Sequence, residues 1–130
     1  MATINKFEDL EVWQKARKLC NEIYPLTLKG TFERDFKLRD QINGSSGSVM
    51  DNISEGFERD GKNEFRQFLS IAKGSCGETR SQLYRSLDRN HINEEEFLNL
   101  KNQTEEISKQ LNNFIKYLNS SEIKGVKYKI

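Results

Sequence analysis

From Phe97 onward the core-type positions recur at alternating steps of three and four: Phe97, Leu100, Thr104, Ile107, Leu111, Phe114 and Leu118. Steps averaging near 3.5 residues set these side chains along one face of an α-helix, a seam that water does not tolerate and a second helix must cover. Asn93 stands where an N-cap is needed and Glu96 three residues on completes a capping box, while Glu94 and Glu95 favour the positive end of the helix dipole. The spacing predicts a helix over about 93–120. The segment before it repeats the pattern with Phe65, Leu69, Ala72, Cys76, Thr79, Leu83 and Leu87, and Asn63 is placed to cap it. That predicts a second helix over about 63–90, ~42 Å long at 1.5 Å per residue. His91 falls in the short turn between the two, so they are expected to be antiparallel neighbours.

Two further helices are expected upstream. Val12, Trp13, Ala16, Leu19, Cys20 and Ile23 share one face of a helix over about 9–28, which Pro25 ends or kinks because proline lacks the N–H and disfavours helical geometry at Tyr24. Residues 28–35, with Gly30 and Thr31, read as a loop. Leu38, Ile42, Val49, Ile53 and Phe57 keep helical spacing over about 35–60, but Asn43-Gly44-Ser45-Ser46-Gly47-Ser48 has poor helix propensity. Residues this small allow close helix approach. Gly44, Ser45, Gly47 and Ser48 would meet Gly74, Ser75 and Gly77 of the next helix, and that close packing is the expected reason for both clusters. Residues 121–130 read as a frayed basic tail.

Composition agrees with an all-α chain. At 130 residues with one proline and 32% charged residues, the sequence is one domain's worth of soluble helical protein. Twenty-one Lys and Arg oppose twenty Asp and Glu, so the net charge of +1 gives no global attraction to nucleic acid or to an anionic membrane. Neither a signal peptide nor an apolar run approaching the ~20 residues of a membrane span is present, and a cytoplasmic location is expected. Cys20 and Cys76 then read as reduced, buried structural thiols. One histidine and two separated cysteines fall short of a metal-binding set, and no cofactor is expected.

Three features are candidates for chemistry. The Gly44–Ser48 run lacks the following Gly-Lys-[Ser/Thr] and the preceding strand of a phosphate loop. Asn52, Ser54 and Glu55 fall within one helical turn, where Glu55 has the chemistry of a general base; the plainer reading is that they bond to neighbouring helix ends or subunits. With His91 at a distant helix end, no nucleophile–base pair is evident. Arg59, Lys62, Arg66, Lys73 and Arg80 keep steps of three, four, seven and seven, which put all five in one basic stripe if the helix is continuous from about 62, and each cation could meet a backbone phosphate. Glu55, Asp60, Glu64 and Glu78 lie nearby, so the competing reading is a solvated face. Trp13, Tyr24, Phe57, Phe68, Ile71, Tyr84 and Tyr117 exceed what strict seams bury and could line a wider core or a subunit interface.

Asn52-Ile53-Ser54-Glu55-Gly56-Phe57, the block from Phe65 to Ser75 that carries Gly74, and the opening Leu10-Glu11-Val12-Trp13-Gln14-Lys15-Ala16 together resemble the small bacterial helical-bundle family encoded in intervening sequences of 23S ribosomal RNA genes. The resemblance spans about Phe7 to Leu118. It implies an antiparallel up-down-up-down left-handed four-helix bundle, continuous through the glycine-serine run, that assembles as a homopentamer and has no known enzymatic activity. It also reaches the accessory protein of diversity-generating retroelements, a strongly basic pentamer that binds nucleic acid and a reverse transcriptase. This chain departs from that relative in its near-zero net charge and in carrying Gly44-Ser45 where a basic pair is often found. The function implied is an oligomeric adaptor or scaffold for RNA or a protein partner. The alternative is an enzyme with a small polar site at a subunit interface, built from Asn52, Ser54 and Glu55.

Overall fold

Helices that each bury one stripe can satisfy one another only by packing together, and the computed structural model, which describes residues 3–120 and 128–129, shows how. A 3₁₀ turn at Phe7–Asp9 leads into α1 (Glu11–Leu26), α2 (Gly30–Arg34), α3 (Phe36–Glu58), α4 (Lys62–Asp88) and α5 (Glu94–Leu118). The fold is all-α apart from two-residue strands β1 (Thr3–Ile4) and β2 (Tyr128–Lys129), which pair antiparallel with Thr3 opposite Lys129. The part of the expected frayed tail that is described is therefore tied to the N-terminus, and residues 121–127 and 130 lie outside the described residues.

Each long helix packs against the next in sequence, and α1 also packs against α3 and α5. Side-chain partners show that the neighbours are antiparallel. On α3, Gln41, Ser45 and Ser48 meet Arg85, Gln82 and Ser75 of α4 in descending order. Tyr84, Cys76, Lys73 and Arg66 of α4 meet Phe97, Thr104, Asn112 and Asn119 of α5. Glu22, Lys15 and Glu11 of α1 meet Asn99, Glu106 and Gln110 of α5.

The seam residues fill the centre. All seven predicted for α5 are buried, as are Phe65, Leu69, Ala72, Cys76, Thr79 and Leu83 of α4. The Cys76 thiol donates to the Thr104 carbonyl at 3.1 Å, and burial pushes its pKa up to about 11. Both cysteines are free. Phe57 belongs to the core rather than to a surplus, Trp13 and Tyr117 pack against it, and Tyr24, Ile71 and Tyr84 remain 55%, 52% and 45% exposed.

Three local expectations are corrected. Residues 28–35 contain the single-turn α2, held by one buried side chain, Phe32, and entered through Gly30 at φ +61. A helix this short leaves no periodicity to detect. Helix α4 starts at Lys62 with Gly61 as N-cap, and Asn63 instead accepts a hydrogen bond from Arg66 at 3.2 Å. The small-residue clusters also divide. Ser45, Ser48 and Ser75 do face the α3–α4 contact, but a Cβ built on Gly44, Gly47, Gly74 or Gly77 meets nothing within 4 Å. The glycine that the contact requires is Gly56, where a Cβ would stand 2.6 Å from the Phe68 Cβ and 3.0 Å from the Phe65 ring.

Gly56→Ala should therefore destabilise the protein by about 1–3 kcal/mol through overpacking, although Gly to Ala inside a helix ordinarily gains about 0.5–1 kcal/mol. Chemical denaturation of the variant checks this; an increase in stability would place Gly56 away from α4.

Candidate nucleic-acid interface

An uninterrupted helix from Lys62 fixes where its cations point. At 100° per residue Lys62, Arg66, Lys73 and Arg80 fall within an arc of about 40° over a rise of ~27 Å. Glu64 and Glu78, which dilute the stripe in the sequence, project about 160° from Lys62 and so away from it. Among the described residues, none of the four cations has a carboxylate within 4.0 Å. Arg66 Nη1 donates instead to Asn119 Oδ1 at 2.6 Å, and Lys73 Nζ to Asn112 Oδ1 at 3.3 Å, so the stripe lies along the α4–α5 groove. Arg80 sits close enough to Cys76 to favour its thiolate, against the larger effect of burial.

Arg59 does not belong with them. It is the C-cap of α3, outside α4, with Nη2 2.8 Å from Glu55 and Nη1 3.8 Å from Glu64, and its guanidinium lies 5.3 Å over the Phe68 ring. The break between α3 and α4 at Arg59–Gly61 is what removes it from the stripe.

The polar triplet on α3 is not gathered into a site. Asn52 Nδ2 donates to the Ser48 carbonyl and hydroxyl, both at 2.8 Å; Ser54 donates to the Asp51 carbonyl at 2.9 Å; Glu55 accepts from Arg59. Each is engaged within or at the end of its own helix. The Gly44–Ser48 run lies mid-helix, where its backbone N–H groups are committed to helical bonds and cannot cradle a phosphate.

One cluster escaped the sequence reading. His91 Nε2 bonds Asp35 Oδ2 at 2.8 Å, its Nδ1 meets Thr31 Oγ1 at 2.8 Å, and its ring stacks on Phe32 with centroids 4.9 Å apart. Arg89 donates to the same Asp35 oxygen at 2.9 Å, and Asp35 Oδ1 accepts from the Leu38 N–H to cap α3. Sixty residues separate Thr31 from His91, so only the unread α2 turn could have revealed the contact. The cluster fastens the α4–α5 connection to the α2–α3 corner. The shared carboxylate is spent on a cap and on Arg89, which fits a fastening better than a relay.

The model of one protein family, described as 23S rRNA-intervening sequence protein, matches residues 8–113. This chain belongs to that family. A solved structure, a protein with unknown function from the S23 ribosomal protein family from Bacteroides thetaiotaomicron, is 26% identical, with a TM-score of 0.74 over 81% of this chain and 98% of that one. No curated protein matches the chain. The 23S rRNA-intervening sequence protein match ends at residue 113, and of the groove residues it therefore covers Lys62, Arg66, Lys73, Arg80 and Asn112 but not Asn119. No helix among the described residues is long and apolar enough to cross a membrane.

Hydrogen bonds from His91 and then Arg89 hold the Asp35 pKa down, from 3.8 to about 2. A depressed carboxylate stabilises the fold above its unfolded pKa and ceases to do so as pH falls toward the folded value. Asp35→Asn should therefore cost about 1–2 kcal/mol at pH 6, with the gap to wild type closing between about pH 4 and pH 2. Urea titrations across this range check it, and a gap independent of pH would remove the fastening role of the charge.

Proposed function

We propose that this chain is a non-enzymatic, self-associating helical-bundle adaptor of the cytoplasm that assembles as a closed ring, a homopentamer, and presents its α4 stripe to the phosphates of structured RNA. The observation that carries the reading is the set of four cations on one helical face with no carboxylate partner among the described residues. A charge already neutralised by a neighbour attracts phosphate weakly; these are not neutralised. A ring would multiply the stripe by its copy number, so a near-neutral chain can still bind a polyanion through a local field.

Self-association draws on the four open glycines. Glycine inside a helix costs about 0.5–1 kcal/mol relative to alanine, and within the single chain nothing at Gly44, Gly47, Gly74 or Gly77 offsets that cost. Close approach of a neighbouring subunit's helix would. Ile71, 52% exposed and one turn from Gly74, supplies apolar area for the same contact. Closed cyclic symmetry leaves no unmatched interface patch.

Multi-angle light scattering should return a mass near five copies of the 15.2 kDa chain, ~76 kDa, and Gly74→Leu should lower it while leaving the helical circular dichroism intact. A wild-type mass near 15.2 kDa at micromolar concentration would end the ring proposal.

Fluorescence anisotropy with a structured RNA at two salt concentrations tests the binding reading. Replacing Arg66, Lys73 and Arg80 together by Gln should weaken binding at low salt and reduce the salt slope by about one unit per cation for each subunit engaged. Indistinguishable curves would leave a protein-only adaptor as the function.

A further inference from the structure

The partners of Arg66 and Lys73 are amides, and that choice has a chemical consequence. An arginine or lysine can only donate, so Asn119 and Asn112 must turn their oxygens toward the cations, at 2.6 and 3.3 Å. The two N–H groups of each amide are left over from that bond, and among the described residues neither amide nitrogen has a hydrogen-bond acceptor. An aspartate at either position would accept the same hydrogen bond but cancel the charge. Asparagine positions the cation and leaves its charge intact. The two pairs are in register: seven residues separate Arg66 from Lys73 and seven separate Asn112 from Asn119, a spacing of ~10.5 Å along each antiparallel helix. One heptad further toward the start of α5 the series meets Glu105 instead, which already accepts from Lys101 at 3.3 Å. The run of amide partners therefore stops there.

We infer that Asn112 and Asn119 belong to the binding surface, each forming with Lys73 or Arg66 a composite phosphate site in which the cation and the amide N–H groups address the same phosphate. The inference rests on the RNA reading above and deepens it by naming where the phosphates sit. A phosphate oxygen set accepts several hydrogen bonds at once, and donors held in place before binding lose less entropy on engaging it. Two such sites a heptad apart suit a polyanion with repeated phosphates. Arg80 has no such amide partner among the described residues and contributes less than Arg66 or Lys73.

The test compares Asn112→Asp/Asn119→Asp, Asn112→Ala/Asn119→Ala and Arg66→Gln/Lys73→Gln with wild type, using a fluorescein-labelled RNA hairpin of about 20 base pairs and a polyglutamate competitor. The Asp pair removes no cation, yet it should lower affinity at least tenfold and flatten the salt dependence as far as the Gln pair does. The Ala pair should fall between wild type and the Asp pair. Thermal melts should show the Asp variant folded well above the assay temperature, its new ion pairs offsetting the unfavourable charge at the C-cap Asn119, so that lost binding is not lost folding. Wild-type affinity in the Asp variant, with the Gln pair weakened, would overturn the composite sites and leave the stripe standing. Failure of wild type itself to bind the hairpin, or its displacement by polyglutamate as readily as by unlabelled RNA, would overturn both.

Discussion

The contact between α3 and α4 is the constraint on which the rest of this molecule depends. At one end Gly56 lets the helices approach so closely that a methyl group would overlap the Phe68 Cβ. Along the middle runs a hydroxyl ladder: Ser45 donates to Gln82 and Thr79 donates to Ser45 at 2.8 Å, all three buried, and the half-buried Ser48 and Ser75 hydroxyls meet at 2.9 Å. Buried polar groups are costly unless paired, so each rung penalises any slide or rotation that would separate it from its partner. Apolar packing alone tolerates such slippage more readily. The ladder thus specifies register where the leucines and phenylalanines supply stability.

Register in turn decides what α4 shows to its surroundings. With Phe65, Ala72, Thr79 and Gln82 turned inward, the stripe from Lys62 to Arg80 falls on the α5 side, opposite Asn112 and Asn119. A shift of a single residue, about 100° of rotation, would carry the cations out of the groove and break every hydroxyl rung. The Thr31–His91–Asp35–Arg89 cluster secures the far end of the same arrangement, joining the α4–α5 connection to the corner where α3 begins. The groove is thus a product of the packing and not of any separate binding element.

How far the sequence could be read follows from the range of each signal. Periodicity over several turns identified the seams of α4 and α5, and the Asn93–Glu96 capping box is present as both of its hydrogen bonds. The glycine-serine run drew attention to the correct helix contact, yet it assigned to the glycines a role that belongs to the serines and to Gly56. Composition says that residues are small; only geometry says which way each faces. Helix α2 was invisible because one buried phenylalanine makes no period, and with it went the His91 contact, which joins residues sixty apart. The stripe was legible as spacing, but spacing alone does not show that the turn at Asp60, with φ +62, turns Arg59 away from the α4 cations. Asn112 and Asn119 carried no signal of their own, since an exposed asparagine on a helix is unremarkable until its partner is known.

Native-state hydrogen exchange examines the claim about α3 and α4 most directly. If their contact is the constraint that holds the rest, the amides of Ser45 to Phe57 and of Phe65 to Leu83 exchange last, opening only with global unfolding, while those of α1 and α2 open earlier. Amides of α1 or α5 that stay protected after α3 has exchanged would contradict it.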